Sequence, residues 1–211
     1  MKVALVLENS NLKNSELIYK SLKEVCDSFG ATLYNYGVYQ DKDIDINYVE
    51  AGLLNAILLN SGAVDFVVSG CKTGEGVVIS SNSFRGVKCG YIKSLVDMEL
   101  FLRINDGNAI SIPYEMLGIG KNIILKEIFT KLFTCKDKAY PNENYDKQEY
   151  QRNELDELKK ASTKDFINVL NDIDKDMLYK CVKNEYFEEN FFLNSKNSEI
   201  SSFLKDFIDN V

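Results

Sequence analysis

The chain has 211 residues, of which 45% are hydrophobic and 27% charged, which are ordinary values for a soluble globular protein of one domain or one domain with an extension. Its net charge of −7 argues against a sequence-independent nucleic-acid binder, because such proteins need a basic face. Histidine is absent, which excludes Ser-His-Asp and Cys-His catalytic pairs and metal sites that need imidazole. Any general acid or base must therefore be Asp, Glu, Cys, Lys or Tyr.

The cysteines predict a reducing cytoplasm and neither a disulfide framework nor a zinc site. They are odd in number, widely spaced and form no CxxC pair: Cys26, Cys71, Cys89, Cys135 and Cys181. The chain begins directly with a strand-like segment, and no apolar stretch is long enough to span a bilayer. We therefore expect no leader, no membrane partner and no metal.

Strands and helices are predicted to alternate along the first 133 residues. The predicted strands are short apolar runs at 3–7, 31–36, 64–69, 87–91 and 108–112. Helices are predicted after a cap at Asn9 or Ser10 up to Gly30, and at 48–60, 76–82, 94–104 and 117–133. This order is typical of an α/β fold of the Rossmann-like kind, with a five-stranded parallel sheet and helices on both faces.

Ligands in such sheets bind beyond the carboxyl ends of the strands. The predicted site therefore comprises residues 8–11, 70–76 and those after the fourth and fifth strands. A second region, 134–211, is predicted as a helical C-terminal extension beyond the α/β domain of residues 1–133. It is rich in aromatic residues, and we expect it to pack on the core or on a second subunit.

A glycine-rich turn, Gly70-Cys-Lys-Thr-Gly-Glu-Gly76, lies between the third strand and its helix. Glycines let the backbone expose N–H groups, which together with a helix N-terminus make an anion pocket. A helix N-terminus and the adjacent Lys72 favour the thiolate form of Cys71. The spacing alone is equally compatible with two glycines that serve the turn sterically, and with Cys71 as a small buried residue.

The segment VDFVVSGCKTGEGVVISSN, residues 64–82, resembles the sugar-phosphate isomerases that include type B ribose-5-phosphate isomerase and the galactose-6-phosphate isomerases. That family has a strand, Cys-Gly-Thr-Gly-x-Gly, and a helix that ends in Ala-Ala-Asn. Gly86-Val-Lys88 continues the resemblance, Asn105-Asp-Gly-Asn108 resembles the family's Asn-Asp-x-Asn, and Glu8-Asn9 occupies the place of its Asp-His pair. The resemblance covers about residues 1–133.

The resemblance implies a cofactor-independent aldose–ketose isomerase that is a cytoplasmic homodimer or homotetramer and acts on a pentose, tetrose or hexose phosphate. It implies Cys71 as the base that transfers the proton through an enediolate, and Thr73 as the residue that opens the ring or orients O1. The turn amides would hold the enediolate oxygen. The substrate-binding residues assigned in this way are Glu8, Asn9, Gly70, Lys72, Gly74, Glu75, Gly76, Asn82, Asn105, Asn108, Lys136 and Lys138.

The departures from the family pattern concern ring opening and phosphate recognition. Asn9 replaces one family histidine, Ile104 replaces another, and Glu115 replaces an arginine. Lys72, which replaces a glycine, is a substitute cation. Lys136 and Lys138 would contact the phosphate, or would simply be solvated lysines on a linker.

These departures suggest a substrate that needs no ring opening, such as a tetrose phosphate or a modified sugar acid. Two alternatives remain open. One is a catalytically weak or inactive sugar-phosphate-binding subunit of a hetero-oligomeric isomerase. The other is a generic phosphate or nucleotide binder with the same fold.

Overall fold

The computed structural model describes residues 1–40, 44–135 and 145–210, which contain a five-stranded parallel sheet in the order β2-β1-β3-β5-β4. The strands are β1 (Lys2–Leu7), β2 (Thr32–Asn35), β3 (Phe66–Cys71), β4 (Cys89–Tyr91) and β5 (Ala109–Pro113). β1, β3 and β5 have no exposed face and read as near-continuous apolar segments, as expected for the centre of a parallel sheet. The predicted α/β architecture is therefore confirmed.

The helices of the first part of the chain cover both faces of this sheet. They are α1 (Ser15–Ser28), α2 (Tyr48–Asn60), α3 (Glu75–Asn82), α4 (Leu95–Leu100) and α5 (Lys121–Cys135). α5 packs against α1 and α4, whereas α2 packs against α3. Nearly all of α2 is buried, which explains why its apolar residues show no single stripe.

Three predicted helix boundaries change for local reasons. A 3-10 turn, Asn9–Asn14, precedes α1, and Glu8 caps that turn. α4 ends earlier than predicted and continues as a π-helical turn, Phe101–Asn105. α5 begins at Lys121, because Gly120, with φ +80°, lies outside helical conformation.

The C-terminal region forms helices that pack on α2 and on the β2 edge, except for the first, which lies against the π-helical turn and the segment before β4. They are α6 (Tyr145–Ser162), α7 (Phe166–Asp172), α8 (Lys175–Val182), α9 (Glu185–Asn194) and α10 (Ser198–Asp209). α8 packs on α2, and the buried Phe187 of α9 lies 5.9 Å from the Tyr36 ring, centroid to centroid. The expectation that this region packs on the core is met by these contacts. Within the described ranges, no helix has the length and apolarity that crossing a bilayer would require.

The order of the strands places a topological switch point between β1 and β3, at the carboxyl ends of the strands. β1 lies between β2 and β3, so the connections that leave β1 and β3 diverge to opposite sides. Ligand sites of open α/β sheets lie at such a switch point, beyond the carboxyl ends. Glu8 follows β1, and Cys71 ends β3, so the two predicted segments meet at this place.

Candidate active site

The turn after β3 holds the Cys71 sulfur against the first turn of α3. Gly74 caps α3 in the left-handed region, with φ +77°, and its N–H donates to Cys71 Sγ at 3.1 Å. Ser111 Oγ donates to the Gly74 carbonyl at 2.7 Å and holds the turn from the neighbouring strand β5. An N–H donor at this distance can stabilise negative charge on sulfur, which is what a thiolate base requires.

Gly70 is required for close packing of this turn. A Cβ at Gly70 would lie 2.3 Å from the Ile112 carbonyl oxygen and 2.6 Å from the ring of Tyr114. The Tyr114 hydroxyl donates to the Ser69 carbonyl at 3.3 Å, and burial raises the pKa of this tyrosine. The pattern of glycines therefore has a steric reason at Gly70 as well as a chemical one at Gly74.

The side chains next to Cys71 are open to solvent. Thr73 is exposed, with Oγ1 4.0 Å from Cys71 Sγ. Lys72 is exposed and its Nζ lies 4.0 Å from a carboxylate oxygen of Glu115, so the negative charge of Glu115 partly offsets its positive charge. Glu75 is an exposed residue in the first turn of α3, and Gly76 lies under the ring of Tyr48. The turn thus offers one buried sulfur below a polar, solvent-facing rim.

The loop after β1 turns its side chains inward. Glu8 is 6% exposed, and its carboxylate accepts hydrogen bonds from the Ser10 N–H, the Ser10 hydroxyl and the Asn11 amide. Asn9 points elsewhere: it donates to Asp45 and accepts from the Ile46 N–H at 3.1 Å. Of this pair, Glu8 is the residue that the fold connects to the Cys71 turn.

Tyr91 lies against the Cys71 turn, although it is not among the site residues predicted from the sequence. Its ring crosses Gly74, where an added Cβ would lie 2.7 Å from Tyr91 Cε2, and its hydroxyl lies 3.9 Å from Met116 Sδ. Partial burial raises the pKa of Tyr91, and the nearby charges of Glu75 and Cys71 act in the same direction. Its position at the end of the predicted fourth strand was the signal that could have identified it.

The asparagines assigned by resemblance lie at the opposite end of the sheet from Cys71, near the amino ends of β4 and β5. Asn82 bridges to the Cys89 backbone, donating at 2.8 Å and accepting at 3.0 Å, at the start of β4. Asn108 binds the backbone of Lys88 and Gly86 just before β5, and Asn105 is exposed nearby. Within one chain these residues do not join the Cys71 turn, and their part in substrate binding stays a prediction.

Two further assigned residues, Lys136 and Lys138, lie outside the described residues. In the part of the chain that the structure describes, no group of three or more Cys, Asp or Glu side chains is arranged to hold a metal ion.

Comparison with known proteins identifies the family. A family model described as Ribose/Galactose Isomerase matches residues 3–153. The chain belongs to the ribose/galactose isomerase family. A second family model, described as Ribose-5-phosphate isomerase, matches residues 161–207 of the C-terminal region. A search of curated proteins finds no match.

Solved structures of this isomerase family resemble the chain over its whole length. A 4-deoxy-L-threo-5-hexosulose-uronate ketol-isomerase, complexed with a tartrate, is 41% identical with a TM-score of 0.95, covering 99% of this chain and 100% of that one. A ribose-5-phosphate isomerase from Vibrio parahaemolyticus is 36% identical with a TM-score of 0.94, covering 98% and 99%. The C-terminal helices are therefore shared with these isomerases.

A more distant structure shares the fold alone. The ribose-5-phosphate isomerase B of Clostridium thermocellum is 16% identical, with a TM-score of 0.63 over 77% of this chain and all of that one.

Proposed function

We propose that this isomerase interconverts an aldose and a ketose without a cofactor, using Cys71 as the base, on an open-chain sugar acid. The observation that carries the proposal is the 3.1 Å contact between Gly74 N–H and Cys71 Sγ at the carboxyl edge of the sheet. A thiolate held there can remove the proton on the carbon next to a carbonyl. N–H donors of the turn can stabilise the oxygen on which charge develops.

The chemistry balances as two proton shifts, from C2 to C1 and from O2 to O1, with no added reactant. Cys71 takes the proton from C2 of an aldehyde substrate, and the electron pair of that bond forms the enediolate. Cys71 then returns the proton to C1 while the hydroxyl proton on O2 passes to O1, so that the aldehyde becomes a hydroxymethyl group and C2 becomes a ketone. Thr73 would orient O1, since its hydroxyl lies 4.0 Å from the sulfur.

The absence of histidine supports an acyclic substrate. The substrate named for the 41% identical relative has no hydroxyl on C4 and a ketone at C5. Its C1 aldehyde therefore has no hydroxyl with which to close a five- or six-membered ring, and an enzyme acting on it needs no ring-opening acid.

The charges at the site favour a carboxylate over a phosphate. Lys72 lies 4.0 Å from Glu115, and Glu75 follows it at the start of α3. A phosphate dianion placed among these acids needs more cationic compensation than a carboxylate with one charge. We therefore favour a sugar acid over the ribose 5-phosphate that the name of the Vibrio parahaemolyticus relative suggests.

The test is deuterium exchange from solvent into a panel of 4-deoxy-L-threo-5-hexosulose-uronate, erythrose 4-phosphate and ribose 5-phosphate. We expect turnover of the uronate, and a loss of about 10²–10⁴-fold in Cys71→Ala, the usual contribution of a general base. Cys26→Ala is the matched control, because it removes a buried thiol from α1 without touching the turn.

Turnover of ribose 5-phosphate with no turnover of the uronate would contradict the substrate assignment. Exchange that survives in Cys71→Ala would contradict the mechanism and direct attention to Glu75 or Glu8. Binding of these compounds without exchange would favour the alternative of a non-catalytic subunit, which the replacement of both family histidines favours. Assembly as a homodimer or homotetramer is checked by sedimentation.

A further inference from the structure

Two side chains of the loop after β1 bind the peptide groups on either side of Cys71. Asn11 Nδ2 donates to the Gly70 carbonyl at 3.0 Å, and the Lys72 N–H donates to Ser10 Oγ at 3.2 Å. Both side chains are also hydrogen-bonded to the buried Glu8 carboxylate. The loop after β1 is therefore hydrogen-bonded to both peptide groups that flank Cys71.

We propose that Ser10 and Asn11 are positioning residues that hold the Cys71 sulfur against the amide of Gly74, and that Glu8 orients both of them. The inference rests on the proposed function in that it takes Cys71 as the base. It gives Glu8 a different role from the substrate contact that the sequence predicts, because its carboxylate is directed into the loop.

The directions of the hydrogen bonds leave these side chains little freedom. Ser10 uses its hydrogen on Glu8 and a lone pair on the Lys72 N–H, so the hydroxyl links a carboxylate to a backbone donor. The two partners of Asn11 Nδ2 are both acceptors, which fixes the orientation of the amide. Asn11 is fully buried, so solvent cannot replace the bond it makes to Gly70.

The turn needs such support because of its own composition. Gly70 and Gly74 have φ of +153° and +77°, and glycine pays the largest entropy for being held in one conformation. A base must stay within a fraction of an ångström of its working position, and a misplacement of about 1 Å can cost about 10²-fold in rate. Side chains on both flanking peptides supply that rigidity.

The experiment uses Ser10→Ala and Asn11→Asp, with Ser10→Thr as the conservative variant that keeps the hydroxyl. Asn60→Asp is the matched control, because Asn60 also donates to two backbone carbonyls, those of Ala56 and Arg85, away from Cys71. Four quantities are measured for each: thermal stability, kcat and KM on the uronate, and the rate at which iodoacetamide labels Cys71 at pH 8, followed by peptide mass spectrometry.

We expect Ser10→Ala and Asn11→Asp to lower kcat by at least about tenfold with little change in KM. They should also label Cys71 at least about threefold faster, because a loosened turn exposes a sulfur that is now 8% exposed. Ser10→Thr should restore both values, and Asn60→Asp should alter stability alone. If Asn11→Asp does not fold, the serine pair carries the test.

Two results would overturn the inference. In one, Ser10→Ala and Asn11→Asp lose stability as Asn60→Asp does, but keep the native kcat and labelling rate. In the other, kcat falls while the labelling rate stays native, which would indicate direct contact with substrate. Labelling needs no substrate, so faster labelling in a protein that turns over none of the panel would support positioning while the proposed function fails.

Discussion

Replacement of Gly74 by alanine tests whether stability and catalysis both require the turn amide and the free space above Gly74. Gly74 has φ +77°, and a Cβ there would lie 2.7 Å from Tyr91 Cε2 and 3.1 Å from the backbone nitrogen of Pro113. The ring can move, but the backbone nitrogen cannot move without displacing β5. Relief of the overlap must therefore shift the turn and carry the Gly74 N–H away from Cys71.

The loss of stability has two parts. An alanine in the left-handed region costs about 1–2 kcal/mol, and forcing atoms into a packed site costs about 1–3 kcal/mol. A total of about 3 kcal/mol corresponds to a Tm lower by about 6–12 °C for a chain of this length. The catalytic loss is expected to be at least about 10²-fold, because the donor to the sulfur is misplaced.

Gly30→Ala separates the two parts. Gly30 also has a positive φ, +65°, but no atom lies within 4 Å of its added Cβ. Its loss should be limited to the backbone term of about 1–2 kcal/mol, with native kcat. Calorimetry and steady-state kinetics on both variants decide the matter. Equal Tm losses, or a Gly74→Ala enzyme with native kcat, would refute the reasoning.

The remaining predictions concern packing, pH and binding. Phe187→Ala should cost about 3–5 kcal/mol in urea unfolding, since its buried ring stacks on Phe191 at 4.6 Å, whereas the exposed Leu193→Ala on the same helix should change stability by less than about 0.5 kcal/mol. Burial raises the pKa of Cys26 and Cys89 to about 12. The same thiols ionise at lower pH in the unfolded chain, so the free energy of unfolding should fall as pH rises above about 9. A Cys26→Ala/Cys89→Ala variant should show a weaker fall between about pH 8.5 and 10. Lys72→Met should raise KM for the uronate by about 3–10-fold with little change in kcat, and Lys20→Met on α1 should leave KM unchanged; equal effects would argue against a specific contact of Lys72.

The sequence predicts the sheet well because its central strands are buried on both faces. The apolar run of β1 and the run that ends at Ser69 have no other explanation in a chain of alternating elements, and both strands lie in the centre of the sheet. The order of the strands in the sheet cannot be predicted in the same way. β5 lies between β3 and β4, and this arrangement depends on packing between distant segments rather than on any local pattern.

Site residues that lie in one short segment can be predicted from the sequence, whereas those brought together by contacts between distant segments cannot. The Cys71 turn is identified by its glycines and by its position after a buried strand. The bonds from Ser10 and Asn11 depend on which strands become neighbours, so no spacing reveals them, whereas the one sequence signal for Tyr91 is its position at the end of the fourth strand. The resemblance also assigned Asn82 and Asn108, whose bonds in this chain fix the backbone at the starts of β4 and β5.

The proposed base lies in the Cys71 turn, whereas most of the changed family positions lie in other segments, and this separation would allow the family pattern to change in part. The Cys71 turn follows β3 and is held by hydrogen bonds from the loop after β1 and from β5, at the centre of the sheet. The departures at Asn9, Ile104 and Glu115 lie outside that turn, and Lys72, the departure within it, has an exposed side chain next to Glu115. A member of the family could therefore lose ring-opening and phosphate-binding groups and keep the base and its amide. The acyclic sugar acid that we propose as substrate would need neither a ring-opening group nor a phosphate site.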